Sequence, residues 1–183
     1  MPKVRFKGFT KDWVEKKLGD VLDYEQPQKY IVDSTEYCDN YKIPVLTAGQ
    51  TFILGYTNEQ QGVYQANKET PVIIFDDFTT SFHWVDFNFK IKSSAMKLLT
   101  IKNKTEDFSF VYYAMCCISY VPSSHERHWI SKYTDFDILI PSISEQKAIG
   151  KFFRDLDEQI TTQQIKLDKL KQLKSAYLQK MFI

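Results

Sequence analysis

The sequence predicts an α+β fold in which one globular domain continues into a long C-terminal helix. Three features of the 183 residues predict this class: short apolar segments separated by polar loops, one helical pattern among those segments, and an apolar helical stripe along residues 144–182. With 43% hydrophobic residues the chain can bury one good core, and the long helix lies outside it. We therefore divide the chain into a globular domain at residues 1–143 and a helical arm at residues 144–183.

The body of the domain, between residues 17 and 141, is expected to consist mainly of strands and loops. Apolar and polar residues alternate in 87–91 and in 136–140, which is typical of strands with one face in water. The predicted strands span residues 43–46, 52–56, 72–75, 87–91, 97–101 and 136–140. One helix is predicted after Thr105, which can cap it, with an apolar face of Phe108, Val111, Tyr112, Met115 and Ile118. Large aromatic side chains dominate burial, and we assign to the core Trp84, Phe87, Phe89, Trp129 and Phe136.

The arm has apolar residues at alternating steps of four and three, which is the heptad spacing of a coiled coil. At 1.5 Å per residue the helix would span roughly 58 Å, well beyond the reach of a compact domain built from the remaining residues. Ser142 and Glu145 have capping-box spacing just after Pro141 and predict the start of the helix. The alternative is an ordinary surface helix with imperfect positions. The seam, as we name these positions, comprises Ile149, Phe153, Leu156, Ile160, Gln163, Leu167, Leu170, Lys174, Tyr177 and Met181, and Phe152, Ile165, Leu173 and Leu178 widen it.

The seam predicts a partner helix, because an apolar stripe of this length must be covered. Gln163 and Lys174 interrupt the seam, and polar groups at such positions select register, orientation or oligomeric state. The residues expected to contact the partner are Phe152, Phe153, Leu156, Ile160, Gln163, Leu167, Leu170, Lys174 and Tyr177.

Charge and cysteine content limit the classes of partner and the compartment that the sequence allows. The net charge of +1 predicts no bulk affinity for polyanions, although the arm carries eight basic residues against five acidic ones. The three cysteines, Cys38, Cys116 and Cys117, have neither metal-binding nor disulfide spacing, which fits a reducing cytoplasm. No apolar run is long enough to cross a bilayer, so we expect a cytoplasmic protein without membrane contact.

Catalytic motifs are not found in the sequence. The six glycines form neither a G-x-G-x-x-G nor a phosphate-cradling loop, and no G-x-S-x-G frames a nucleophile. His125 and His128 lie three residues apart, but the cysteines are badly spaced for zinc. Asp76 and Asp77 follow an apolar strand and could hold a metal ion, so a small metal-dependent nuclease is one alternative. We predict a non-catalytic protein that binds no metal or cofactor itself.

The loops supply hydrogen-bond donors and aromatic side chains, which can contact base edges and phosphates. Polar loops are common on any sheet protein, so loop composition by itself does not establish nucleic-acid binding. If the chain binds DNA, we favour Arg127 and Gln50 for base reading, because Arg matches guanine and Gln matches adenine, and Lys132 for phosphate contact. The full set of DNA-facing candidates is Thr47, Gly49, Gln50, Tyr56, Thr79, Thr80, His83, Arg127, His128 and Lys132.

The order of several motifs resembles a known family. Residues 5–10 read RFKGFT and are followed by Trp13, by KLGDV at 17–21, by IP at 140–141, by EQKAI at 145–149 and by the arm. Within the body, FDDFT at 75–79, VDFNF at 85–89 and SSAMK at 93–97 also match. This order is similar to the DNA specificity subunit of type I restriction-modification systems. The resemblance implies a double-β-helix-like target-recognition domain, then a conserved spacer helix, and no catalysis in this chain.

The resemblance also implies partners. In that family, modification subunits bind S-adenosylmethionine and methylate adenine at N6, and a restriction subunit can join and cleave with ATP; we expect those cofactors and magnesium on the partner subunits. A full-length family member has two recognition domains and two arms, whereas this sequence has one of each. It is therefore either a half-length form or a fragment of a longer chain. A half-length form would pair its arms antiparallel as a homodimer and read two inverted half-sites of double-stranded DNA across a spacer. The alternative from another class is a coiled-coil scaffold without a DNA role.

Overall fold

The computed structural model describes residues 2–49, 51–122 and 126–182. Nine strands, four α-helices and two 3-10 turns are found in these ranges. In chain order they are β1 (Val14–Lys17), α1 (Leu18–Val21), β2 (Leu22–Glu25), a 3-10 turn (Pro27–Tyr30), β3 (Ile43–Leu46), β4 (Ile53–Thr57), β5 (Val72–Asp76), β6 (Phe82–Val85), β7 (Lys90–Ile91), β8 (Met96–Ile101), α2 (Phe108–Cys116), α3 (His128–Ser131), a 3-10 turn (Tyr133–Asp135), β9 (Asp137–Ile140) and α4 (Ile143–Phe182).

The strands form three sheets. The largest is antiparallel with the order β2-β8-β5-β6, a second has the order β4-β3-β7 with β3 and β7 parallel, and β1 pairs with β9. Strand β5 lies inside the largest sheet and is buried on both faces. Because successive side chains of a strand point to opposite faces, Val72 and Ile74 enter one core, and Ile73 and Phe75 enter the other.

The two cores share this central sheet. One core includes residues of helices α1, α2 and α3 and of β9, with Phe110, Val111, Met115, Trp129 and Tyr133 buried in it. The other lies toward the three-stranded sheet and contains Leu46, Phe89 and Ile91. The α+β class with a long C-terminal helix is thus confirmed.

The strand predictions hold in some segments and fail in others. Segment 43–46 is a strand at the predicted bounds, while 72–75, 97–101 and 136–140 differ by one residue at one end and 52–56 is shifted by one residue at both ends. Segment 87–91 pairs as a strand only at Lys90–Ile91, and β1, β2 and β6 were not predicted. Phe89 and Trp129 are fully buried, and Trp84 and Phe136 are partly buried. The assignment of Phe87 to the core is wrong, because its side chain is 37% exposed.

The helix starts also differ from prediction. Helix α2 is capped by Asp107, whose carboxylate accepts the N–H of Phe110 at 2.9 Å, and not by Thr105. At the start of α4 the carbonyl of Ser142 accepts the N–H groups of Glu145 and Gln146, both at 2.9 Å. The carboxylate of Glu145 bonds to Arg5 and does not form the expected capping box.

Helix α4 is 40 residues long and extends about 60 Å. From Lys151 to Phe182 every residue is exposed in the single chain. Across the ranges that the structure describes, no helix combines the length and apolar character that a membrane span needs. The division of the chain at residues 143 and 144 stays a prediction.

Candidate nucleic-acid interface

A buried ion pair joins the loop after β5 to strand β8, and hydrogen bonds join the same loop to helix α3. The Asp77 carboxylate and the Lys97 ammonium are both fully buried, with Oδ2 and Nζ 3.1 Å apart. Oδ1 of Asp77 accepts the N–H of Trp129 at 2.9 Å, and the Asp77 carbonyl accepts the N–H of His128 at 2.9 Å. Lys97 also donates to Oε1 of Gln26 at 3.0 Å. Loss of either partner of the ion pair would leave a buried charge uncompensated. Asp77 therefore fixes the loop to β8 through Lys97 and to the start of α3 through the N–H groups of His128 and Trp129.

The same loop presents two exposed side chains. The Asp76 carboxylate accepts the N–H groups of Phe78 and Thr79, both at 2.9 Å, and the Asp76 carbonyl accepts the N–H of Thr80. Thr80 has φ of 60°, a left-handed conformation that a β-branched residue rarely adopts. Phe78 and Thr79 are exposed, whereas Thr80 is buried. The turn is therefore held in one conformation that points an aromatic ring and a hydroxyl-bearing residue outward.

These hydrogen bonds also bear on the nuclease alternative. Asp76 is engaged in its own turn, and Asp77 is paired with Lys97 in the core. Among residues 2–49, 51–122 and 126–182, no group of three or more His, Cys, Asp or Glu side chains is placed to hold a metal ion. The two carboxylates thus have the structural roles of a turn and a buried ion pair.

Arg127 lies at the edge of the buried pair. Its side chain is 52% exposed, and its Nη1 is 3.9 Å from Oδ2 of Asp77. The neighbouring His128 is fully buried, and its Nδ1 shares a hydrogen bond with the hydroxyl of Tyr120 at 3.0 Å. The structure thus places His128 in the core and not on the predicted surface. Lys132 follows α3, is exposed, and donates its backbone N–H to the His128 carbonyl.

A second group of predicted residues lies around the turn between β3 and β4. The Thr47 hydroxyl donates to the carbonyl of Thr51 at 2.9 Å and accepts the N–H of Gly49 at 3.1 Å. The ring of Phe52, which follows this turn, lies 4.6 Å from the ring of His83 and 6.4 Å from that of Phe87. Thus the turn and strand β6 meet at an aromatic cluster. Gln50, favoured for base reading, lies outside the described residues.

An open groove of about 850 Å³ adjoins this cluster. Tyr56 lines it together with Phe87, and the polar side chains along it are Lys42, Gln65, Asn67 and Asn88. The sequence prediction found Tyr56 but missed Lys42, Asn88 and Phe87. The one signal for Phe87 was the alternation of residues 87–91, which puts it on the same face as Phe89 and so favoured burial.

The base of α4 is fixed to the domain by polar contacts. Nε and Nη2 of Arg5 donate to the two oxygens of the buried Glu145 carboxylate at 2.6 and 2.7 Å. The hydrogen bond from Arg5 holds the pKa of Glu145 below its ordinary value. The side chain of Gln146, also buried, accepts the N–H of Asp107 at 2.9 Å and donates to Glu106 and to the carbonyl of Pro141. These contacts set the direction in which the arm leaves the domain.

Close packing against α2 continues this attachment. A Cβ on Gly150 would lie 2.5 Å from Oδ1 of Asp107, the cap of α2, so only glycine permits this approach. One turn later the rings of Tyr113 and Phe153 are 5.0 Å apart, and about two turns after Gly150 the Tyr113 hydroxyl donates to Asp157 at 2.7 Å. All nine residues predicted to contact a partner helix are exposed in the single chain, although Phe153 also touches Tyr113 in this way.

Comparison with known proteins agrees with this architecture. A family model described as type I restriction modification DNA specificity domain matches residues 10–172. The specificity subunit of the type I restriction enzyme EcoR124I/EcoR124II of Escherichia coli is 53% identical over 138 residues, which cover 73% of this chain and 33% of that subunit. The crystal structure of a type I restriction-modification S subunit from M. genitalium covers 99% of this chain and 48% of its own, with a TM-score of 0.74 and 17% identity.

Another solved structure shows a weaker likeness in fold. It is described as the structural basis underlying complex assembly and conformational transition of the type I R-M system, and it covers 98% of this chain and 47% of its own, with a TM-score of 0.51 and 14% identity. The chain thus spans about a third of the E. coli subunit and about half of either solved chain.

Proposed function

Because the chain belongs to the type I restriction-modification DNA specificity family, we propose that it binds double-stranded DNA at a specific sequence and directs modification subunits to that site. DNA specificity is the role for which the family is named, and catalysis is not part of that role. We assign adenine-N6 methylation with S-adenosylmethionine to the modification subunits. Cleavage with ATP and magnesium would belong to a restriction subunit. The proposed location of this complex is the cytoplasm.

One observation supports this proposal most strongly: a recognition-sized domain is rigidly attached to a long helix whose apolar seam is uncovered. The Arg5–Glu145 pair, the Gln146 contacts and the close approach at Gly150 all oppose rotation of the helix on the domain. A rigid arm can set the distance between two recognition domains, or between one domain and a partner subunit. A flexible tether could not fix the spacing of two half-sites.

The proposed DNA surface uses those predicted residues that the structure leaves accessible. Arg127 is the favoured base reader, since its guanidinium is exposed yet lies beside the buried Asp77. Lys132 is proposed for phosphate contact. Buried Thr80 and His128 are proposed to support the surface from within. The accessible candidates are Thr47, Gly49, Tyr56, Thr79, His83, Arg127 and Lys132, to which the groove adds Lys42 and Asn88.

The arm is proposed to pair antiparallel with a second arm through the seam, as a homodimer of this chain. Two-fold symmetry of such a dimer would impose two-fold symmetry on the site, so the two half-sites would be identical, inverted and separated by a spacer. In a longer chain the second arm would come from the same polypeptide, and the half-sites would then differ.

The proposal is tested by selection of bound duplexes from a randomised DNA library. The chain is mixed with its modification subunit at two salt concentrations, and the retained duplexes are sequenced. We expect an interrupted motif whose retention falls as salt rises, because phosphate contacts release counterions. Retention of all sequences alike would contradict DNA specificity, and retention of none would favour a scaffold without a DNA role. Cleavage of the library by the chain alone with magnesium would support the nuclease alternative.

A further inference from the structure

The turn between β5 and β6, residues 77–81, carries an exposed aromatic ring on a fixed backbone. The side chain of Phe78 is 40% exposed. The Asp76 carboxylate accepts the N–H groups of Phe78 and Thr79, both at 2.9 Å. Thr80 is buried with φ of 60°, a strained conformation for a β-branched residue. Because strain of this kind clusters at ligand-binding sites, the turn is a candidate for a role beyond linking two strands.

The turn is also joined to the segment that carries Arg127. The Asp77 carbonyl accepts the N–H of His128, and Oδ1 of Asp77 accepts the N–H of Trp129, both at 2.9 Å. Oδ2 of Asp77 lies 3.9 Å from Nη1 of Arg127. Phe78 follows Asp77 directly in the chain. The exposed ring and the half-exposed guanidinium therefore lie on neighbouring segments that Asp77 holds together.

This combination of groups can read two neighbouring base pairs. In the major groove of DNA, Arg donates two hydrogen bonds to guanine, and apolar side chains contact the C5-methyl group of thymine. The phenyl ring of Phe78 has no hydrogen-bonding atom, so a methyl group is the feature of a base edge that it can recognise. A wedge between stacked bases is a contact that apolar side chains make from the minor groove. Guanine reading by Arg127 in the major groove favours the methyl contact.

We propose that Phe78 is a specificity-determining residue that contacts the C5-methyl group of a thymine next to the guanine read by Arg127. This inference rests on the proposed DNA recognition and adds to it one side chain and one base atom. Asp76 is a positioning residue that fixes the turn, and Asp77 positions the turn relative to Arg127. Because the turn is ordered before DNA binds, the contact costs little conformational entropy.

Replacement of single thymines by deoxyuridine tests the contact, because it removes the methyl group and leaves the hydrogen bonds of the base pair unchanged. The chain is mixed with its modification subunit and with the selected duplex, in which each thymine of the motif is replaced in turn. For the parent chain, one replacement should weaken binding about fourfold, which corresponds to the burial of one apolar carbon. For Phe78→Ala, the same replacement should leave binding unchanged.

Two further variants assign the effect to the ring. Phe78→Leu keeps an apolar side chain on the turn and should retain the sensitivity to the methyl group. Thr79→Ser removes the methyl group of the neighbouring exposed side chain and keeps its hydroxyl, so it should also retain that sensitivity. A sensitivity that Thr79→Ser abolishes and Phe78→Ala preserves would assign the contact to Thr79 and overturn the proposal.

Variants of Asp76 test its positioning role. Asp76→Ala leaves the N–H groups of Phe78 and Thr79 without their acceptor and should lower the fourfold ratio between thymine and deoxyuridine duplexes toward one. Asp76→Asn keeps an oxygen acceptor and should preserve the ratio. A general loss of folding would weaken binding to both duplexes alike and leave the ratio unchanged, and an unchanged ratio in Asp76→Ala would overturn the positioning role.

The outcomes separate this inference from the proposed function. A parent chain that binds its motif but is insensitive to every replacement would overturn the methyl contact and leave sequence-specific binding intact. The same holds for a Phe78→Ala variant with the sensitivity of the parent. A sensitive thymine that is not adjacent to the base pair relaxed by Arg127→Ala would overturn the proposed neighbourhood, as would a motif with no thymine there. A parent chain that selects no duplex would overturn the proposed function and, with it, this inference.

Discussion

Strand β5 and helix α4 differ in whether the single chain buries their apolar side chains. Val72, Ile73, Ile74 and Phe75 are fully buried by other parts of the same chain. Along α4 the seam is equally regular, yet Leu167 is 46% exposed in the single chain. The first pattern stabilises the fold of one molecule, whereas we propose that the second serves association with another helix.

The difference has an energetic meaning. Apolar area that is buried within the chain contributes to the free energy of unfolding of the domain, whatever the protein concentration. Apolar area on the arm contributes only when a second helix covers it, so its effect depends on concentration. Substitutions in the domain should therefore change the free energy of unfolding, and substitutions in the seam should change the dimer dissociation constant.

The largest effect is expected from a charge in the middle of the seam. Leu167→Glu would bury a carboxylate from each copy within the seam of the proposed dimer and should raise the dimer dissociation constant about a thousandfold or more. Sedimentation velocity measures it. Ser175→Glu, which adds the same charge on the outer face of α4, is the control and should dimerise normally. The thermal unfolding of the domain should be the same in both variants at a concentration where both are monomeric. A dimer that survives Leu167→Glu would show that the seam is not the interface.

A cavity in the domain should lower the free energy of unfolding rather than weaken dimerisation. Phe75 packs edge-on against Trp129 and Tyr133, with ring centroids 5.3 and 4.7 Å apart. Phe75→Ala should therefore lower the free energy of unfolding by about 3–5 kcal/mol. Leu170→Ala, on the exposed part of the arm, should change that quantity by less than about 0.5 kcal/mol. Urea unfolding of monomeric protein gives both numbers. Equal losses would mean that the arm and the domain form one cooperative unit, contrary to the division drawn here.

Substitutions on the proposed DNA surface should change binding and spare both stability and assembly. Arg127→Ala should cost about 1–3 kcal/mol for the specific duplex and relax the preference at one base pair. The domain should stay folded, because Asp77 keeps its ion pair with Lys97. Lys132→Ala should weaken binding to all duplexes alike and reduce the salt slope by about one. Competition binding with single-base variants of the site separates the two, and an equal loss at every site for Arg127→Ala would refute its role in base reading.

The smallest effect on stability is expected from loss of the Arg5–Glu145 ion pair, which joins the domain to the base of the arm. The bond from Arg5 lowers the pKa of Glu145 below 4.5, so the stabilisation is fully present above pH 4.5 and is lost as pH falls through the lower pKa of the folded state. Arg5→Ala should reduce stability at neutral pH and flatten its acid dependence over that window. The measurement is the free energy of unfolding as a function of pH. Lys7→Ala removes a basic side chain two residues away and should leave the pH profile unchanged. A profile of Arg5→Ala that parallels the parent would contradict the assignment of the pair.

The sequence predicted those elements in which apolar residues run together or repeat every few positions along the chain. The strand at 72–75 and the arm were predicted because apolar runs and heptads are visible within a few turns of the chain. The alternation of apolar and polar residues gave a wrong prediction for Phe87. Its position in the alternation is that of a core residue, but it precedes the paired strand Lys90–Ile91 and lines the groove.

Contacts between distant residues could not be predicted in this way. Asp77 and Lys97 are 20 positions apart in the sequence, and Arg5 and Glu145 are 140 apart. Each of these residues alone looks like an ordinary surface charge, and only the folded chain brings the opposite charges together. The cap of α2 was missed for a related reason, since Thr105 and Asp107 both have capping chemistry and the contacts of Gln146 with Glu106 and Asp107 favour the second.

We propose that the globular domain reads DNA while the arm sets the spacing of two such readings. Long-read mapping of N6-methyladenine tests this in cells that make the cognate modification subunit with the intact chain, with Leu167→Glu, or with neither. We predict an interrupted motif with two identical, inverted halves that appears only with the intact chain. A continuous asymmetric motif, or the same motif with Leu167→Glu, would contradict the claim.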